Sequence, residues 1–143
     1  MVHLAGDREL RACRVIIAIG RSGNFRRLGV PGEDLDKVSN RLHDPRDFAG
    51  QQVLVVGGGD SAIEGALALA EAGAKVTLSY RQPQWSRPKE ENLARLAALQ
   101  ASPGKTSLTV RLATQVREIR EHEVMLQAAQ GAPETLPNDA VLA

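Results

Sequence analysis

Apolar positions fall along this chain in short runs, and their spacing changes from one third to the next. Val2-His3-Leu4-Ala5 and the run from Glu9 to Gly20 flank Gly6-Asp7, so a hairpin is expected. The apolar end of the second run, Val15 to Ile19, suits a strand buried on both faces. From Arg21 to Gly50 the periodicity is weak. Pro31-Gly32 predicts a turn there, and Asp44-Pro45 predicts the start of a short helical turn with proline at its first position.

The middle third is regular. Val53 to Val56 reads as a strand, and after Gly57-Gly58-Gly59 a helix puts Ile63, Ala66, Leu67 and Ala70 on one face until Gly73 ends it. Lys75 to Tyr80 reads as a strand, Pro88 to Leu99 as a helix with Leu93, Leu96 and Ala97 inward, and Ser107 to Leu112 as a third strand. This is a β-α-β-α-β unit. After it, QVREIR, HEVMLQAA and LPNDAVLA predict a small antiparallel meander, with Gly131-Ala132-Pro133 as a hairpin loop and no helix after Gln100. The chain thus divides into a hairpin and connector (1–50), a β-α-β-α-β core (51–112) and a meander with a final strand (113–143), all in one domain.

Composition narrows the class. A chain of 143 residues is about one domain. With 43% apolar residues and only Phe25, Phe48, Tyr80 and Trp85 as aromatics, its core is built from Val, Leu, Ile and Ala, as suits an α/β layer. A net charge of +1 gives no field for attracting nucleic acid, so the arginines are judged by their places. The single Cys13 cannot form an internal disulfide or a CxxC pair, and mid-run it suits a small core position. His3, His43 and His122 have no metal-ligand spacing. No apolar run approaches the roughly 20 residues that span a bilayer, and Met1-Val2-His3-Leu4 lacks the order of a signal peptide. No membrane partner and a cytoplasmic location are expected.

The glycines carry the chemistry. Gly57, Gly59 and Ala62 fit G-x-G-x-x-A between a predicted strand and a predicted helix. Gly57 permits the sharp turn, Gly59 leaves room for a pyrophosphate to touch backbone, and Ala62 lets helix and strand pack closely. The free N–H groups of the helix start then face the anion. Two rival motifs fail: GGDSAI has Ile63 where a nucleophile elbow needs glycine, and no G-x-x-x-x-G-K-[ST] occurs. Ser61 is therefore a helix-start residue, and no catalytic acid, base or nucleophile is assigned.

About 20 residues after such glycines, a carboxylate accepts the ribose hydroxyls of NAD. Ser79-Tyr80-Arg81 stands in that place. A carboxylate would repel the extra phosphate of NADP, whereas Arg81 and Arg87, on either side of a short loop, can pair with it. The expected cofactor is NADPH, and the expected fold is a Rossmann-like, three-layer α/β NAD(P)-binding domain, a doubly wound parallel sheet with the small antiparallel meander. Candidate cofactor-binding residues are Gly57, Gly58, Gly59, Asp60, Ser61, Ala62, Glu64, Tyr80, Arg81 and Arg87. An S-adenosylmethionine site wants an acid at the end of the second strand and finds none. A non-catalytic dinucleotide-sensing or docking module is the alternative.

With these residues placed, the chain resembles the NADPH-binding domain of thioredoxin-reductase-like flavoproteins, in the pyridine nucleotide-disulfide oxidoreductase superfamily. VIIAIGRSGNFRRLGVPGE is similar to the segment leaving the FAD domain, with Ala18-Ile19-Gly20 and Val30-Pro31-Gly32 in register. FAGQQVLVVGGGDSAIEGA is similar to the signature G-[GA]-G-D-S-A-x-E, and LPNDAVLA to the strand that returns to the FAD domain. The resemblance implies that the chain is one domain of a larger parent. FAD binds in the parent, through a second glycine-rich turn and not in this chain; the parent is a homodimer and its electron acceptor is unnamed. It also implies that Glu64, which matches the signature's Glu, lies near the nicotinamide. EDLDKVSNRLHDPRDFAGQQ lacks the CxxC of small thioredoxin reductases. SYRQPQWSRPK resembles instead a cysteine-poor branch that includes bacillithiol-disulfide-reductase-like enzymes, and ferredoxin-NADP reductases of this type also lack the pair.

Overall fold

The computed structural model describes residues 2–4, 6, 8–11, 13, 14, 16, 26–102, 104 and 107–143. Val2–Leu4 (β1) and Arg8–Leu10 (β2) pair antiparallel as the expected hairpin, with Leu4 opposite Arg8. The second strand does not run on as its apolar pattern predicts. Cys13 lies in an exposed bend and Ile16 is 89% exposed, so neither occupies a core strand. A strand of that composition needs a layer on each face, and the described residues supply none around Ile16. Val15 and residues 17–25, with the Ala18-Ile19-Gly20 motif, lie outside the described residues.

The connector holds a two-residue strand, Val38–Ser39 (β3), and a short 3-10 turn, Pro45–Phe48. The turn starts with Pro45 at its first position, as the Asp-Pro pair predicts, and Asp44 caps it by accepting the Arg46 N–H at 2.9 Å. Then come Gln52–Val56 (β4), helix Asp60–Glu71 (α1), Lys75–Tyr80 (β5), helix Glu90–Gln100 (α2) and Ser107–Leu112 (β6). Thr114–Ile119 (β7), Glu123–Ala128 (β8) and Glu134–Pro137 (β9) form the meander, and Ala140–Leu142 (β10) closes the order. Among the described residues no helix follows Gln100.

Five of these strands make one parallel sheet in the order β3-β10-β4-β5-β6. LPNDAVLA is therefore divided. Leu136 and Pro137 end the antiparallel sheet β7-β8-β9, while Ala140–Leu142 enters the parallel sheet between β3 and β4. The strand β3 escaped the sequence pattern because two residues show no alternation.

Alternation along β4 sets the layers. Val53 and Val55 pack with Ile63, Leu67 and Leu69 of α1 and Leu96 of α2, whereas Leu54 packs with Val116, Ile119, Val124 and Leu126 of the meander. Both helices thus lie on one face. The second face, which a doubly wound sheet gives to helices, is covered by β7-β8-β9, and the molecule is a three-layer α/β domain as expected. On α2, Leu96 is buried and Leu93 half-buried, but Ala97 is exposed; Asn92 and Leu99 complete the inward stripe. Helical spacing explains this, since 92, 96 and 99 share a face that 97 leaves. Among the described residues no helix is long and apolar enough to cross a membrane.

Leu54 is 1% exposed, in the middle strand of the sheet and under the meander. Replacing it with Ala removes packing from the β layer without touching the helix side. Leu54→Ala is expected to cost about 2–5 kcal/mol, read as a lower urea midpoint at unchanged slope.

Candidate functional site

Gly57-Gly58-Gly59 carries the chain from the end of β4 into α1, and each glycine meets a different demand. Gly57 has φ 149°, which L side chains rarely adopt, and a Cβ on it would stand 3.0 Å from the Cβ of Ala62. Its N–H donates to the Ser79 carbonyl at 3.0 Å, which ties the turn to the end of β5. A Cβ on Gly58 would overlap the ring of Tyr80. At Gly59 a Cβ would meet nothing within 4 Å, so the space before the helix is open.

That open space faces unpaired donors. Gly59 is the extended N-cap of α1 and offers no side-chain cap. The first helical bond runs from the Ile63 N–H to the Gly59 carbonyl at 3.2 Å, leaving the N–H groups of Asp60, Ser61 and Ala62 without a partner inside the helix. Together with the helix dipole they favour an anion.

Beside the turn is a groove of about 690 Å³ at the carboxyl ends of β4 and β5. It lies where chain order reverses in the sheet, with β10 on one side of β4 and β5 on the other. Open parallel sheets hold ligands at such a point. Gly57, Gly58, Tyr80, Arg81 and Arg87 all line it. Arg26 and Arg27 line it too, and among the described residues no Asp or Glu side chain does. Arg27 is engaged by Glu33, at 3.2 Å, and by Asp34. Sequence reading missed Arg26 and Arg27 because they precede the sheet in a stretch without periodicity.

The remaining candidates stand outside the groove lining. Gly59, Asp60, Ser61 and Ala62 form the helix start beside it, and Glu64 lies exposed one turn on. Asp60 and Glu64 also serve the scaffold. The Asp60 Oδ1 accepts the Lys89 N–H at 2.9 Å and the Asn92 amide at 2.7 Å, and the same amide reaches the Glu64 Oε1 at 2.9 Å. The Lys89 N–H first, then the Asn92 amide, hold the Asp60 carboxyl below the usual carboxylate range. Asn92 is 5% exposed. Its signal in the sequence was a polar residue four places before Leu96 on the inward stripe, where a buried amide requires partners.

Between β5 and α2, residues 81–89 form the loop that carries the two arginines. Tyr80, 8% exposed, stacks on Trp85 with ring centroids 5.2 Å apart and planes within 5°. The Gln82 carbonyl accepts the Ala113 N–H at 2.9 Å. Below the loop, the hydroxyls of Ser79 and Thr114 meet at 2.8 Å and fasten β5 to β7.

Residues 4–143 match the family described as pyridine nucleotide-disulphide oxidoreductase. The chain is 32% identical over 135 residues to the bacilliredoxin reductase of Bacillus subtilis, spanning 90% of this chain and 39% of that protein. Over 74 residues it is 51% identical to the ferredoxin-NADP reductase of Ignicoccus hospitalis, 52% of this chain and 24% of that one. The solved bacillithiol disulfide reductase of Bacillus cereus matches with a TM-score of 0.75 at 32% identity, over 81% of this chain and 35% of that one. The chain spans less than half the length of each of these relatives.

Two variants probe this construction. Gly58→Ala drives a methyl into a buried, stacked ring and is expected to cost about 1–3 kcal/mol, read by denaturant unfolding. Asp60→Asn weakens the link from α1 to the loop. Because the folded carboxyl is held low, its stabilisation is fully present above the unfolded value of about 3.9 and is lost as pH falls through the lower folded value. The variant is therefore expected to unfold at lower urea than wild type at pH 7, with the difference shrinking below about pH 4. A difference independent of pH would show that the carboxylate charge contributes nothing.

Proposed function

The chain belongs to the pyridine nucleotide-disulphide oxidoreductase family, and on that premise we propose that it is the NADPH-binding domain of an FAD-dependent oxidoreductase. One observation carries the reading: the uncapped start of α1 and the glycine turn stand beside a groove lined by Arg81 and Arg87 and by no acidic side chain among the described residues.

The anionic parts of an NADPH molecule would meet suitable groups. The N–H groups of Asp60, Ser61 and Ala62 would hold the pyrophosphate, and the open space at Gly59 would admit it. Arg81 and Arg87, which line the groove at the end of β5, would pair with the 2′-phosphate of the adenosine ribose. The absence of a carboxylate at this strand end favours NADP over NAD, because nothing there repels the added phosphate or accepts a free 2′-hydroxyl.

When bound, NADPH supplies a hydride, and in the parent protein FAD outside this chain accepts it. The chain's own part is binding and orientation, which is what protein contributes in cofactor-borne chemistry. Glu64, which matches the Glu of the family's signature, would stand toward the nicotinamide end of the cofactor, with its Oε1 held by the Asn92 amide at 2.9 Å. With Cys13 as its single cysteine the chain holds no dithiol pair. The same reading makes the parent a cytoplasmic homodimer that passes electrons to a further acceptor.

Calorimetric titration with NADPH and, separately, NADH tests this. Wild type is expected to prefer NADPH. Arg81→Ala is expected to weaken NADPH by about ten- to a hundredfold, as for a charge-assisted bond of about 1.5–3 kcal/mol, and to leave NADH unchanged. Equal affinity of the wild-type chain for the two nucleotides, or an equal loss for both in the variant, overturns the assignment.

A further inference from the structure

Every residue from Ser79 to Arg87 lines the groove except Trp85. Trp85 instead turns its ring onto Tyr80 and packs against the apolar cluster on the helix side of the sheet. A tryptophan at the midpoint of an otherwise groove-facing loop is a fastening point, and the loop's other attachments show which part of it depends on that point.

Arg81 is fixed on both sides without Trp85. Tyr80, before it, belongs to β5, and Gln82, after it, accepts the Ala113 N–H at 2.9 Å. The next main-chain attachment to another element is the Lys89 N–H, held by Asp60 at 2.9 Å. Residues 83–88 bridge these two points, and Arg87 lies among them. The Tyr80–Trp85 stack is what divides this six-residue span. A parallel stack at 5.2 Å restrains position and plane together.

We infer that Trp85 is a positioning residue for Arg87 and thereby a determinant of cofactor specificity: it reaches no nucleotide itself, and it holds the second arginine at the groove. The inference rests on the NADPH reading above. It separates the two arginines, since Arg81 is held by strand and backbone and Arg87 by an aromatic anchor. Tyr80 has a double part in this arrangement. Its ring lies where a Gly58 side chain would be and against Trp85, so the glycine turn and the arginine loop meet at one residue.

Trp85→Leu and Trp85→Phe test the inference. Leucine keeps apolar packing on the helix side and loses the stack; phenylalanine keeps a ring that can stack. Affinities for NADPH and NADH are measured for wild type, both Trp85 variants, Arg87→Ala, and the double variant of Trp85→Leu with Arg87→Ala. Trp85→Leu is expected to weaken NADPH by about tenfold, the size of one charge-assisted contact, and leave NADH unchanged. The double variant is expected to be no weaker than Arg87→Ala alone, because both changes remove the same contact. Trp85→Phe should restore most of the preference.

The outcomes are distinct. Wild type without preference for NADPH overturns the functional reading and this inference with it. A wild-type preference that survives in Trp85→Leu, whether both affinities are unchanged or both nucleotides weaken equally, overturns this inference alone. So does a double variant whose losses add, since that would show Trp85 and Arg87 acting independently.

Discussion

The structure depends on burying β4 on both faces. A parallel strand in the middle of a sheet has no face for water, and QVLVV supplies apolar side chains in both directions. The helix layer takes Val53 and Val55, and the meander takes Leu54. With both faces and both edges of β4 covered, the ends of the strand are what remains open. The carboxyl end carries the glycine turn, so this open end is also the one that offers the unpaired N–H groups of the α1 start.

The electrostatics of the groove follow from that placement. The helix start contributes partial positive charge, and Arg81 and Arg87 add full charges at the end of the neighbouring strand. The acids close to it are engaged by other groups. Asp60 accepts bonds from the Asn92 amide and the Lys89 N–H, Glu64 accepts one from the Asn92 amide, and Glu33 and Asp34 lie against Arg27. A chain with a net charge of only +1 thereby presents a locally cationic site. Overall charge bears on solubility and long-range encounter; the site's charge is set by which carboxylates turn away from it.

Asn92 and Trp85 connect this site to the helix layer. One is a buried amide that satisfies two carboxylates on α1, and the other is a ring that carries the loop onto the apolar cluster. Neither lines the groove. Their effect is to make the arginine loop part of the packed domain, so that ordering its residues is met during folding and need not be met again when a ligand binds.

The sequence by itself determined the elements and the turn. Apolar runs, alternation and helical spacing identified β4, α1, β5, α2, β6 and the meander, because each shows its pattern within its own residues, and glycine or proline stands near at least one end of each element from β4 to β6. The glycine spacing located the candidate site for the same reason, since backbone demands at a strand-to-helix turn are local. Tertiary structure alone decided which layer covers the second face of the sheet, that LPNDAVLA leaves the meander for the parallel sheet, and that Ile16 and Cys13 are exposed. It alone brought Asn92 to Asp60 and laid Tyr80 on Trp85. Those outcomes depend on pairings between segments far apart in the chain or on side-chain directions within a loop, and neither leaves a periodic mark in the order of residues.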